Sequence, residues 1–239
     1  MSRPTICIKP QEFIESNVEI KEPKVYKSKY NNISTTTSEI FYRNSKGELC
    51  DLYIALPQIE TYGPSPQYSF ISKVKSPENI QGYTISYGHL VVENVFEALG
   101  KVCMSKINEF AKSKKIKKCT LKPTFNYRTK LENGAKVEDT SKHKVAYFKL
   151  KTSKNHLTNE LAILTTMIDK RTKEEINPHD TISKPGLLAP MICIKKIYFG
   201  SHGNTNYGAS IQIEVSKLLF KHLSSNIPDF PNEDLDSDE

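Results

Sequence analysis

Apolar and polar residues alternate with period two over much of this chain, and in one stretch the period becomes helical. Ile33 to Arg43 is rich in Thr, Ile and aromatic residues, Asn44-Ser45-Lys46-Gly47 is a turn cluster, and Glu48 to Pro57 resumes with Leu52, Ile54 and Leu56 on one face. That pattern predicts a β-hairpin. Gln58 to Gln67 holds Gly63, Pro64 and Pro66 and reads as a loop, after which Tyr68, Phe70, Ser72 and Val74 alternate with Ile71, Lys73 and Lys75 as a third strand. From His89 to Lys112 the residues Val92, Val95, Phe96, Leu99, Val102, Cys103, Ile107 and Phe110 recur at three- and four-residue steps, the spacing of one amphipathic helix. Strand character returns at Cys119 to Lys130, stops at the turn signal Asn133-Gly134, and resumes at Lys144 to Thr152 and Leu161 to Asp169. Met191 to Phe199 and Ala209 to Phe220, with Ile211, Ile213 and Val215 in alternation, flank Gly200-Ser201-His202-Gly203-Asn204 as a terminal hairpin. The predicted fold is mainly β: a closed or nearly closed antiparallel barrel of roughly eight strands, with one long helix over about 89–112.

The 239 residues are 37% hydrophobic, enough for one core of that kind. Residues 1–30 mix charge, proline and isolated apolar side chains without a period and read as an arm, residues 31–222 as one domain, and residues 223–239 as a disordered acidic tail. No apolar run reaches membrane-spanning length and Met1 to Pro10 lacks the apolar centre of a signal peptide, so a soluble, unsecreted protein without membrane contact is expected. Cys7, Cys50, Cys103, Cys119 and Cys193 have neither disulfide-scaffold nor zinc spacing and read as small apolar filler in a reducing compartment.

Charge changes the picture. Asp229, Glu233, Asp234, Asp236, Asp238 and Glu239 crowd the last eleven residues, leaving 34 basic and 21 acidic groups in the rest of the chain. A basic body tied to an anionic end points to a polyanionic partner, nucleic acid first. The excess concentrates between Lys112 and Lys154, where fourteen basic residues face only Glu132, Glu138 and Asp139. Lys112, Lys114, Lys115, Lys117 and Lys118 close the helix, where cations also suit the dipole. Lys122, Arg128 and Lys130 then interleave with Phe125 and Tyr127, and Lys144, Lys149 and Lys151 flank Tyr147 and Phe148. Lysines neutralise phosphates and aromatic rings stack on bases, the combination that holds single strands without strong sequence readout. Alternation puts Tyr147 on one face with Val145, Lys149 and Lys151, which makes it the better stacking candidate and Phe148 a core residue; Phe125 and Tyr127 read equally well as stacking or core.

No phosphate loop, nucleophile elbow, zinc-protease motif or two-metal carboxylate cluster is present, and the six histidines are scattered. His179-Asp180 follows Asn177-Pro178 in a turn, and Gly200, Gly203 and Gly208 read as hairpin glycines. No enzyme, no cofactor and no bound metal are expected.

The order of parts resembles the single-stranded-DNA-binding proteins of large nucleocytoplasmic DNA viruses, of the African swine fever virus type. The resemblance spans roughly residues 30 to 222 and rests on the order of the elements. These are the hairpin ending Leu52-Tyr53-Ile54-Ala55-Leu56-Pro57 with its loop to Tyr62-Gly63-Pro64, the helix and Lys-rich crossing, Pro123 with the strand Tyr147-Phe148-Lys149-Leu150, and Met191-Ile192-Cys193-Ile194 leading through Phe199-Gly200 to Ile211-Gln212-Ile213-Glu214-Val215. It implies an OB-type barrel that coats and protects single-stranded DNA in viral replication, recombination or repair, in the host cytoplasm or nucleus. RNA is the alternative ligand, oligomers on DNA are compatible with such a role, and the acidic tail would reach replication proteins. A basic virion or scaffold protein is the competing reading, and a nuclease would need clustered acids that this sequence lacks.

Overall fold

Runs of three or four residues, too short to show a period, open the chain, and they fold. In the computed structural model, which describes residues 3–27, 34–68, 76, 79–114, 116, 118–132, 134–154, 160–202 and 206–223, Thr5–Ile8 (β1), Val18–Ile20 (β2) and Lys24–Lys27 (β3) are strands. Ser34–Arg43 (β4) and Leu49–Ala55 (β5) form the hairpin read from the sequence, meeting at Tyr42 opposite Cys50 and Arg43 opposite Leu49. Its turn is fixed by the Asn44 side chain, which accepts from the Lys46 and Glu48 amides at 2.9 and 3.0 Å. β1 lies parallel to β5, while β2 and β3 pair with β4. The segment read as an arm is therefore ordered over residues 5–27, three short strands with 3-10 turns at Pro10–Glu12 and Glu15–Asn17, and Ile8 and Ile20 are buried.

The Gly/Pro stretch read as a loop holds two short strands, Ile59–Tyr62 (β6) and Ser65–Tyr68 (β7). β7 is a sheet edge, where Pro66 lacks no ladder bond. Gly63 between them is forced by space: a Cβ there would stand 1.9 Å from the Thr181 carbonyl oxygen. Ile80–Tyr87 (β8) is a strand that the sequence pattern did not announce, and most of the expected third strand, residues 69–75, lies outside the described residues. Leu90–Ser113 (α1) matches the helical period, with His89 as N-cap and Val92, Val95, Phe96, Leu99, Cys103, Ile107 and Phe110 buried.

The strand expected over Cys119 to Lys130 is broken. Lys118–Leu121 (β9) stops before Pro123, residues 122–128 cross irregularly with a single bridge from Asn126 to Val145, and Thr129–Glu132 (β10) pairs with Ala135–Glu138 (β11) as a separate exposed hairpin. Gly134 takes φ +79 in its turn, and Asn133 is outside the described residues. There follow Ala146–Lys149 (β12), Thr152–Lys154 (β13), Leu161–Ile163 (β14), Thr166–Asp169 (β15), Glu175–Ile176 (β16), Pro185–His202 (β17) and Asn206–His222 (β18).

The terminal hairpin β17–β18 is the spine. Along its β17 edge β6, β5 and β4 pair in succession, and along its β18 edge β9 and then β15 run parallel to it. The resulting sheet curls, and β12, β8 and β7 form a second, three-stranded sheet. The protein is mainly β with one helix. Among the described residues, eighteen strands are spread over sheets of eleven, three, two and two, more than the roughly eight expected. One core joins the layers: Phe110 of α1 meets Phe199 of β17 with centroids 4.4 Å apart, and Phe96 meets Phe148 at 6.1 Å. Of the cysteines, Cys50, Cys103 and Cys193 are buried as filler, whereas Cys7 is exposed and Cys119 half-buried. No helix among the described residues is long and apolar enough to cross a membrane. The acidic tail lies outside the described residues, which end at Leu223.

Candidate nucleic-acid interface

Lysines at the end of α1 follow from the helix itself, since cations near its C-terminus meet unpaired carbonyls. Lys112 and Lys114 are exposed there, Lys118 opens β9, and Lys115 and Lys117 lie outside the described residues.

The crossing segment separates its aromatic and basic residues differently from the strand alternation expected. Phe125 is a core residue: its ring packs 5.7 Å from Phe96 and 6.3 Å from Phe148, and it is 6% exposed, so it presents nothing to a base. Tyr127 is half-buried, with the Lys144 ammonium 5.5 Å above its ring. Lys144 in turn donates to Glu93 of α1 at 2.6 Å and sits 3.6 Å from Glu97. The hydrogen bond to Glu93 outweighs partial desolvation and holds the ammonium above the ordinary lysine range. Lys144 therefore ties β12 to the helix rather than waiting for a phosphate. Lys130 is spoken for by Glu132 at 2.6 Å, and the Arg128 guanidinium, itself exposed, donates to Ser86 Oγ at 3.4 Å. Lys122 stays exposed, while its amide donates to the Ala209 carbonyl at 2.8 Å and pins the crossing to β18.

On β12 the alternation is clean. Ala146, Phe148 and Leu150 are buried, whereas Tyr147, Lys149 and Lys151 point out, Tyr147 with 59% of its surface in water. Val145, expected on the Tyr147 face, is instead buried where it bridges Asn126. Lys122, Lys149 and Lys151 make no ion pair among the described residues.

Tyr147 and Lys149 form one wall of a groove of about 210 Å³, with Lys122, Pro123 and Thr124 opposite and Ser210 to Ile213 of β18 along its floor. No known protein family, curated protein or solved structure matches this chain. The groove has a backbone cause: β9 leaves β18 at Ala209, and the next partner on that edge is Leu150 at Val215, so Ser210 to Glu214 have no ladder partner there among the described residues. Side chains from β12 and the crossing close over that gap. Lys122 to Thr124 also line a second hollow of about 400 Å³ against α1, with Phe96, Met104, Leu121, Phe125 and Ile211.

Ser210 and Gln212 were not singled out from the sequence, although the alternation of Ile211 and Ile213 already placed them on the opposite face. Among the described residues, no three acidic, histidine or cysteine side chains gather as metal ligands would.

Proposed function

We propose that this protein binds single-stranded nucleic acid, DNA first, with little sequence readout and without catalysis of its own. The observation that carries the reading is Tyr147: a ring 59% exposed beside Lys149 and Lys151, on the wall of a groove whose other side is Lys122. A base stacks on the ring while its flanking phosphates meet three lysines that no acid neutralises among the described residues. Lys112, Lys114 and Arg128 extend the positive field, and Lys130 and Lys144 contribute less because Glu132, Glu93 and Glu97 hold them. An OB-type barrel is the finer architecture that goes with this reading, supported by a curled sheet with a helix across it. Coating and protecting single strands in viral-type replication, recombination or repair inside a cell is the role such binding serves.

Titration of labelled single- and double-stranded oligonucleotides of one length at low salt tests the proposal. Tighter binding to the single strand, with quenching of intrinsic tyrosine fluorescence in a chain without Trp, is the expected result. Equal or tighter binding to duplex would move the protein to the virion or scaffold class.

A further inference from the structure

Along β17 the alternation changes phase. Ile194 pairs with Ile213 and Lys196 with Gln212, leaving Lys195 as an extra, bulged residue. Strict period two would send Ile197 and Phe199 to solvent. The bulge instead turns them into the core and turns Lys196 and Tyr198 to the outer face of the main sheet. Register then lines up Lys24, Thr37, Tyr198 and Ser210 across four strands. The neighbouring rows carry Tyr26 opposite Thr35, and Lys196 between Glu39 and Gln212.

Two rings on this face are open. Tyr26 on the edge strand β3 is 49% exposed and Tyr198 is 37% exposed. Tyr198 leans over Gly200, where an added Cβ would come 3.2 Å from its Cε1, so the missing side chain is what lets the ring lie low on the sheet. Two strand spacings and two residues separate the rings, about 12 Å. Lys24 and Lys196 are exposed and unpaired among the described residues, while Glu39, the acid in register with Lys196, is bonded to Arg3 at 3.3 Å. Hydroxyl and amide groups of Thr35, Ser210 and Gln212 fill the accessible positions between rings and lysines, while Thr37 in the same row is buried. Ser210 and Gln212 also floor the Tyr147 groove, so the two surfaces are continuous.

We infer that the binding path extends beyond the groove: one strand of nucleic acid leaves Tyr147, crosses β18 and β17, and stacks bases on Tyr198 and then Tyr26, with Lys196 and Lys24 against its phosphates. The inference rests on the single-strand reading above and adds a second aromatic platform to it.

Two oligothymidylates test it, one of about 5 and one of about 15 nucleotides, near the two ends of the range one OB domain covers. Tyr198→Ala and Tyr26→Ala should each weaken the longer by at least about fivefold and leave the shorter unchanged, because only the longer reaches the outer face. Tyr147→Ala should weaken both. Tyr198→Phe keeps the ring and should restore binding of the longer strand. Should Tyr198→Ala alter the circular dichroism or thermal midpoint, Tyr26→Ala and Lys196→Glu, at exposed positions, carry the test. Undiminished affinity for the longer strand in these variants overturns the inference while leaving the groove reading intact, whereas a wild-type protein that binds neither length removes the groove reading itself. Loss of self-association on gel filtration, with unchanged oligonucleotide affinity, would also overturn it and make the face a contact between copies.

Discussion

Alanine at Tyr147 and at its neighbour Phe148 should produce opposite phenotypes, because one backbone step carries the side chain from water to core. Phe148 is 1% exposed and its ring lies 5.8 Å from Tyr87, 6.1 Å from Phe96 and 6.3 Å from Phe125. Truncation there removes the shared member of an aromatic cluster and leaves a cavity, at about 3–5 kcal/mol. That is about a fifth or more of the stability of a typical domain, about 5–15 kcal/mol. Tyr147 buries less than half its surface, so its loss should change folding free energy by no more than about 1 kcal/mol. Its effect should appear in binding: about 1–3 kcal/mol, or about 5- to 150-fold in Kd, whatever the base composition. Urea unfolding followed by circular dichroism gives the first quantity, and fluorescence anisotropy with a labelled single strand gives the second. A Tyr147→Ala protein that unfolds as early as Phe148→Ala, or that binds as tightly as wild type, would refute the assignment of Tyr147 to the interface.

Lys149→Ala with Lys151→Ala should lower the dependence of log Kd on log salt by about 0.7 per lost phosphate contact, with the unfolding midpoint unchanged; an unaltered slope places those phosphates elsewhere. Gly63→Ala should lower the thermal midpoint sharply, since its Cβ would collide with the Thr181 carbonyl, and a midpoint equal to wild type would show that this junction yields freely. Deleting residues 229–239 raises the formal charge from +7 to +13 and should tighten binding most at low salt, where a polyanionic tail competes best for the lysines. Identical low-salt affinities, measured by titration, would leave that tail a solubility role only. Asp139, bonded by Ser141 Oγ at 2.5 Å, has its carboxyl held below the ordinary value, so its contribution to stability is present above about pH 4 and is lost as pH falls through its folded pKa. The stability gap between wild type and Asp139→Asn should therefore close on acidification in urea titrations, and a pH-independent gap would contradict the assignment.

The features legible in the sequence are those whose cause is local. The three-and-four spacing of Val92 to Phe110 and the Asn44 to Gly47 turn state their structures outright, and the alternation of Ala146 to Lys151 correctly divided Tyr147 from Phe148. Where partners are distant, pattern alone misled. Thr5–Ile8 is only four residues long, too short to show a period, and becomes a strand by pairing with β5. Lys144 looked free because the acids that hold it, Glu93 and Glu97, sit on the helix rather than nearby in the chain. Phe125 was placed on a strand that Pro123 does not allow. Tyr198 was hidden by a bulge, which no count of period two reveals, and Tyr26 belonged to a segment with no period to read.

The β17–β18 spine also bears on how the polypeptide comes off the ribosome. β4, β5, β6, β9 and β15 all pair onto residues 185–222, so each is synthesised before the surface that receives it exists. At about 5–20 residues per second, β4 waits about 10–30 s for its template. During that interval β5 has β1 and β4 beside it but not β17, so the edge that Leu52 to Ala55 later gives to Met191 to Ile194 stays open to other chains. A slow step on translating the final hairpin would lengthen that exposure, and faster synthesis of those last strands would shorten it.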